Sequence, residues 1–261
     1  MSVSYAFDKV APLDFPALLS RFTGKSLRSP FRSTVPLLSL IEHCPTDWRG
    51  LLQSWGVPEN VTVHLEYGVA SPKPRANPSQ TDALLIAKHA PTVWAVEAKW
   101  TEPRYETVAQ RISRPEGDGA DPCATVGVWL DYLRPYAEQS LDLMEFSEVV
   151  YQVMHRAASA CAVAAAYGRR PELVYLHFHP SPDSRSADTA QYVADLNQLR
   201  ARLGNAAGFP FRVVEMPLSY TARFEAIQGL DKRDPASAHK VKAALAEGPL
   251  FIFETPTITL I

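Results

Sequence analysis

Three residues in the stretch TDALLIAKHAPTVWAVEAKW have the types and spacing to do chemistry. Asp82 stands at the head of one apolar run, and Glu97 and Lys99 stand at the tail of the next. Two carboxylates hold a hard divalent cation, and a neighbouring lysine manages a water nucleophile or a phosphate charge. Brought together in space, the three make the site of a magnesium-dependent phosphodiesterase.

The elements around them decide whether they meet. Residues 92–100 read as a strand whose alternation puts Val93, Ala95, Glu97 and Lys99 on one face and Trp94, Val96, Ala98 and Trp100 on the other. Residues 81–88 read as the strand before it, and Pro91 lies in a tight connection that favours antiparallel pairing. In an antiparallel hairpin the start of the first strand lies opposite the end of the second. Asp82 is therefore expected beside Glu97 and Lys99. A carboxylate pair at that distance repels itself unless a cation compensates.

Further out, residues 35–43 (VPLLSLIEH) read as a short helix with Pro36 in its first turn and Ser33 or Thr34 as its cap. Before it, residues 1–34 read as irregular, with one helical turn near 15–21. Residues 61–69 alternate and are rich in β-branched types, as a strand is, and a proline-punctuated connection carrying Lys73 and Arg75 follows. After the hairpin come a helical segment at 102–112, a loop at 114–122, and a helix at 126–138 interrupted by Pro135. A long helix at 144–167 follows, closed by Gly168, then a strand at 172–178. The remainder reads as a helix (187–203), a strand (211–217), two helices (219–227 and 235–247) and a last strand (250–254). The expected fold is one α/β domain over residues 1–261, with a core at 35–178 around a mixed sheet and a C-terminal α/β extension at 179–261.

Asp82, then fifteen positions later Glu97, Ala98 and Lys99, set in the order helix, three strands, helix, strand across 35–178, resemble the PD-(D/E)xK nuclease superfamily. The resemblance implies a restriction-endonuclease-like αβββαβ core. It also implies magnesium or manganese bound by Asp82, Glu97 and the backbone carbonyl of Ala98, with Lys99 orienting or helping to deprotonate the attacking water, and products ending in a 5′-phosphate. The family's signature proline is not adjacent to Asp82: Thr81 stands there, and Pro78 is nearby. A further acid is expected from Glu42 on the first helix or Glu66 on the first strand. Glu66 is favoured because the sheet fixes it, on the face of Thr62 and His64. Gln152 on the long helix matches a polar residue that some branches bring to the site, and Arg156 shares its helical face.

The bulk composition excludes other classes. A net charge of -2 gives no global pull on a polyanion, but residues 15–41 contain no acid and carry Arg21, Lys25, Arg28 and Arg32, a locally basic arm that reads as a solvated segment or as a phosphate contact. Cys44, Cys123 and Cys161 are scattered and odd in number, so neither a zinc ribbon nor a disulfide framework is supported, and a reducing cytoplasm fits. No signal peptide or membrane-spanning run is legible. Gly24, Lys25 and Ser26 look like the end of a phosphate-binding loop but lack its leading glycine, which is Leu19 here, and are set aside. His155, His177 and His179 are expected to pack rather than bind metal, Trp94 and Trp100 to be core, and Arg104, Arg111 and Arg114 to touch phosphate or decorate a helix. The expectation is a metal-dependent nuclease acting on DNA ahead of RNA, as a homodimer if it cuts both strands of a duplex. Its rivals are a non-hydrolytic nucleic-acid- or protein-binding module on the same fold, and a fortuitous acid–x–Lys. In the last case Asp82 would pair with Lys99 at a sheet edge and Glu97 would be solvated.

Overall fold

The structure, a computed structural model, describes residues 2–10, 12–22, 24–70, 78–114, 121–204 and 208–261. The connection carrying Lys73 and Arg75 and most of the 114–122 loop lie outside the described residues. In chain order the elements are β1 (Val3–Phe7), α1 (Phe15–Arg21), α2 (Gly24–Leu27), α3 (Thr34–His43), α4 (Pro45–Ser54), β2 (Val61–Val69), β3 (Ser79–Ala87), β4 (Thr92–Lys99), α5 (Val108–Ile112), α6 (Pro122–Leu133), α7 (Tyr151–Ala166), β5 (Arg170–His179), α8 (Thr189–Leu203), β6 (Phe211–Tyr220), α9 (Ala222–Ile227), α10 (Ala236–Glu247), β7 (Phe251–Phe253) and β8 (Thr257–Leu260).

The strands form one eight-stranded mixed sheet in the order β1-β2-β3-β4-β5-β6-β7, with β8 also pairing β6. Short connections make β2, β3 and β4 antiparallel neighbours. The crossover through α7 then brings β5 parallel to β4, and that through α8 brings β6 parallel to β5. Both faces are covered. One core joins Val61, Val63, Val96, Ala98 and Trp100 to α1, α3, α4 and α10; the other joins Leu84, Val93, Ala95 and Tyr175 to α6, α7 and α8. Burial on both faces is why β4 is apolar almost throughout.

Several boundaries differ from expectation, each for a physical reason. The first residues are not irregular: β1 adds to the sheet edge parallel to β2, a pairing without local sequence signal. Helix α4 starts on Pro45 and buries Trp48, Leu51 and Leu52. The long helix begins only at Tyr151, because the backbone before it pairs with the segment after β4: Thr107 bridges Val150, and the Tyr151 amide donates to the Glu106 carbonyl. A 3₁₀ turn at Leu143–Phe146 occupies the rest of that stretch. Helix α6 starts earlier than expected, capped by Asp121, and gives way at Arg134–Tyr136 to a 3₁₀ turn containing Pro135. The segment after β4 is helical only over Val108–Ile112. The C-terminal extension is continuous with the sheet, which β6, β7 and β8 carry on. Among the described residues no helix is long and apolar enough to cross a membrane.

Candidate active site

Register brings the acids into a row. Leu65 pairs with Ala83 and Tyr67 with Thr81, so Glu66 falls opposite Asp82; Ala83 pairs with Val96, so Asp82 falls opposite Glu97 at the next position. Glu97 in turn pairs with Tyr175 on β5. Three adjacent strands thus present three carboxylates to the face covered by α7. At Glu66 the backbone takes a left-handed φ of 51°, which breaks the alternation of β2: Leu65 faces one core, and Tyr67 and Val69 face the other.

These residues line a cleft of about 290 Å³ together with Ala98, Lys99, Gln152 and Arg156. Asp82 is held by its Oδ2, which accepts a 2.8 Å hydrogen bond from the Ala98 amide. Glu97 is more heavily engaged. Its Oε1 accepts from Lys99 Nζ at 2.8 Å and from Gln152 Nε2 at 3.4 Å, and its Oε2 lies 2.8 Å from Arg156 Nε in an ion pair. The salt bridge expected in a fortuitous acid–x–Lys, Asp82 to Lys99 with Glu97 in solvent, is not what forms: Lys99 pairs with Glu97, and both side chains are 3% exposed.

Electrostatics separates the two acids. Burial and the Glu97 charge push the Asp82 carboxyl well above the usual carboxylate range. Burial acts the same way on Glu97, but Arg156 first and Lys99 second more than offset it and hold that carboxyl below its ordinary value. Glu66 is raised by burial and then by Glu97, against a smaller opposing effect of Arg156. Burial alone would lower the Lys99 pKa, but Glu97 and then Glu102 keep it above the ordinary lysine value. Lys99 is therefore held in its charged form and donates to Glu97.

The donor set suits a hard divalent cation. It consists of oxygen ligands alone, and a raised, partly compensated carboxylate such as Asp82 is what a bound cation relieves. Asp82, Glu97 and the Ala98 carbonyl are the groups that would hold it. Among the described residues no group of three or more His, Cys, Asp or Glu side chains is gathered at a single metal position.

The remaining expected residues divide clearly. Glu42 is elsewhere, acting on Tyr5 of β1, so Glu66 is the acid at the cleft. His155 packs against Trp129 and Tyr151, and burial, with Arg156 next, lowers its pKa to about 3. His177 Nδ1 bonds the Thr189 hydroxyl, which in turn bonds Glu215. Trp94 and Trp100 are buried. Arg104 pairs with Asp195, Arg114 with Glu106, and Arg111 lies over the Tyr151 ring, so all three are engaged within the protein.

The cleft wall also holds Lys25 and Arg32, from the arm read in the sequence as locally basic, and Ser26, Ser33, Thr34, Glu102 and Tyr105, which sequence reasoning did not assign to the site. Lys25 and Ser26, set aside as a broken phosphate-loop motif, form the short helix α2 at its rim. Glu102 accepts from the amides of Trp100 and Thr101 and from Ser33, tying the end of β4 to the start of α3. The Lys99 ammonium lies 5.1 Å from the centre of the Tyr105 ring. The acid-free run at 15–41 is the signal by which the sequence marked Lys25 and Arg32.

No curated protein and no solved structure matches the chain. The sequence profile of a domain of unknown function, DUF6946, matches residues 16–219, which include every strand of the row of acids and the helix that faces them. The chain belongs to the DUF6946 family.

Proposed function

We propose that this protein is a metal-dependent phosphodiesterase with a PD-(D/E)xK-type site on a restriction-endonuclease-like core, cutting nucleic acid and DNA ahead of RNA. The observation that carries the reading is the convergence of Asp82, Glu97 and Lys99, fifteen and seventeen positions apart in the chain, on one cleft, with Glu66 and Gln152 beside them. The element order around the cleft supports it: α3, the antiparallel β2, β3 and β4, then α7 and the parallel β5.

Magnesium or manganese, when bound, supplies Lewis-acid polarisation of the phosphoryl group and a lowered pKa for water. The chain's own residues do the rest. The Ala98 amide fixes Asp82 Oδ2, and Gln152 steadies Glu97. Lys99, protonated, orients the nucleophilic water and offsets charge on the phosphate. Lys25 and Arg32, exposed at the rim, hold the flanking backbone, as expected of the basic arm. The cleft wall carries four acids, Glu66, Asp82, Glu97 and Glu102, against four cations, Lys25, Arg32, Lys99 and Arg156. A divalent cation tips that balance towards a polyanion.

The test is cleavage of supercoiled, linear and single-stranded DNA with magnesium or manganese, wild type beside Asp82→Ala and Lys99→Ala. Metal-dependent cutting lost in both variants is the expected result. Cutting that survives both substitutions would overturn the reading. A second reading, a binding module on the same fold without hydrolysis, is favoured by one observation: Glu97 is already satisfied by two cations. Nucleic-acid binding unaffected by chelators, with no cutting on any substrate, would select it.

A further inference from the structure

Both oxygens of Glu97 are occupied by groups of the protein: Oε1 by Lys99 Nζ at 2.8 Å and Gln152 Nε2 at 3.4 Å, Oε2 by Arg156 Nε at 2.8 Å. Oε2 has Arg156 as its close partner, and that positive charge opposes a divalent cation at the same oxygen. Lys99 is poorly placed to leave. It stands two residues along the same strand, 3% exposed. Arg156 has somewhere to go. It reaches in from α7, lines the open cleft, and extends Nη1 to the Ser79 hydroxyl at 2.8 Å; Ser79 in turn accepts from Ser159 at 2.9 Å. That serine pair gives the guanidinium a second partner in the protein, independent of Glu97. A guanidinium is a planar fork whose geometry matches phosphate as well as carboxylate.

We propose that Arg156 is the resident counter-cation of Glu97 and the receptor of a phosphodiester group, so that phosphodiester and divalent cation bind cooperatively. An incoming phosphate draws Arg156 away from Glu97 Oε2, and the released oxygen becomes available to the cation. The inference rests on the metal-dependent reading above and adds a role for Arg156 that it does not require. It also accounts for a site that is charge-balanced without metal: Glu97 keeps a partner in the resting protein, and the cation is admitted when substrate arrives. Linkage makes the effect reciprocal, so the cation strengthens phosphate binding by the same factor.

The test is Mn2+ affinity, read from the electron paramagnetic resonance of free Mn2+, with and without diethyl phosphate as the phosphodiester probe. The proteins are wild type and Arg156→Gln. Wild type is expected to bind Mn2+ weakly and to gain about 5- to 150-fold in affinity with diethyl phosphate, the usual span of such coupling. Arg156→Gln is expected to bind Mn2+ more tightly than wild type without the phosphate and to gain little from it. Equal Mn2+ affinity of the two proteins, or an equal gain from phosphate in both, overturns the role of Arg156 and leaves the metal site standing. Absence of Mn2+ binding in both overturns the metal reading and this inference with it. If Arg156→Gln does not fold, the wild-type arm decides: an Mn2+ affinity indifferent to diethyl phosphate rejects the coupling.

Discussion

Glu97 is shared by two cations, the buried Lys99 and the partly buried Arg156, and each of them has it as its close anionic partner. Losing one of the cations leaves Glu97 still paired. Losing Glu97 leaves the buried Lys99 and the partly buried Arg156 without their partner. An uncompensated buried charge costs about 3–5 kcal/mol, more than the net gain of forming the pair. Glu97→Ala is therefore expected to lower stability by about that amount in chelator-treated buffer, and Lys99→Ala by clearly less, about 1–3 kcal/mol. Urea denaturation of the two variants beside wild type measures this, and a Lys99→Ala loss equal to or larger than that of Glu97→Ala would contradict the assignment of Glu97 as the shared anion. The grouping of Asp82, Glu97 and Lys99 was legible in the chain because acid, acid–x–Lys and strand alternation are local patterns. Which cation pairs with which acid was not: Arg156 comes from a helix 59 positions after Glu97, and sequence marked it only as sharing a face with Gln152.

Strand β2 carries its own constraint at Glu66. A φ of 51° is costly for a residue with a side chain, and it is this turn of the backbone that sends Tyr67 to the opposite core from Leu65. In an ordinary strand alanine is favoured over glycine by about 0.5–1 kcal/mol. At this position the order is expected to reverse, with Glu66→Gly more stable than Glu66→Ala by about 1 kcal/mol. Chemical denaturation of the pair decides it; an alanine variant as stable as the glycine variant would mean that the strand relaxes when the carboxylate is gone. The bounds of β2 itself, Val61–Val69, match the sequence expectation residue for residue, because the run is β-branched and alternates up to Glu66. The break in alternation had no local signature. Its effect is to leave Glu66 opposite Asp82 while Tyr67 joins the α7-side core.

Across the whole molecule, burial sets the response to pH. His177 is 1% exposed, and burial, against the opposing charge of Glu215, lowers its pKa to about 4. The unfolded chain returns it to about 6.5. The folded state thus binds fewer protons over that window. The stabilising contribution is fully present above pH 6.5 and is lost as pH falls towards 4, by up to about 3 kcal/mol. Asp82, raised by burial and Glu97, works in the opposite direction over the same range, so the measurement is a difference. The stability of His177→Gln relative to wild type is expected to rise as pH drops from 6.5 to 4 and to stay level above pH 7. A difference independent of pH would show that His177 takes up its proton as readily in the folded protein as in the unfolded chain.

The chain by itself determined the α/β class, the hairpin that sets Asp82 beside Glu97 and Lys99, and the crossover helix that closes over them, since each rests on short-range periodicity and connection length. Tertiary structure alone decided the rest. It placed β1 on the sheet edge, choosing among pairings that a five-residue strand does not distinguish. It carried the sheet on through β6, β7 and β8, where the segment had read as an extension. It chose Glu66 over Glu42, because the choice depends on which end of α3 meets the cleft, and it brought Arg156, Lys25 and Arg32 to the acids. Ion-pair partners are selected by distance and by the cost of burying a charge unpaired, and those quantities exist only once distant segments of the chain have been packed together.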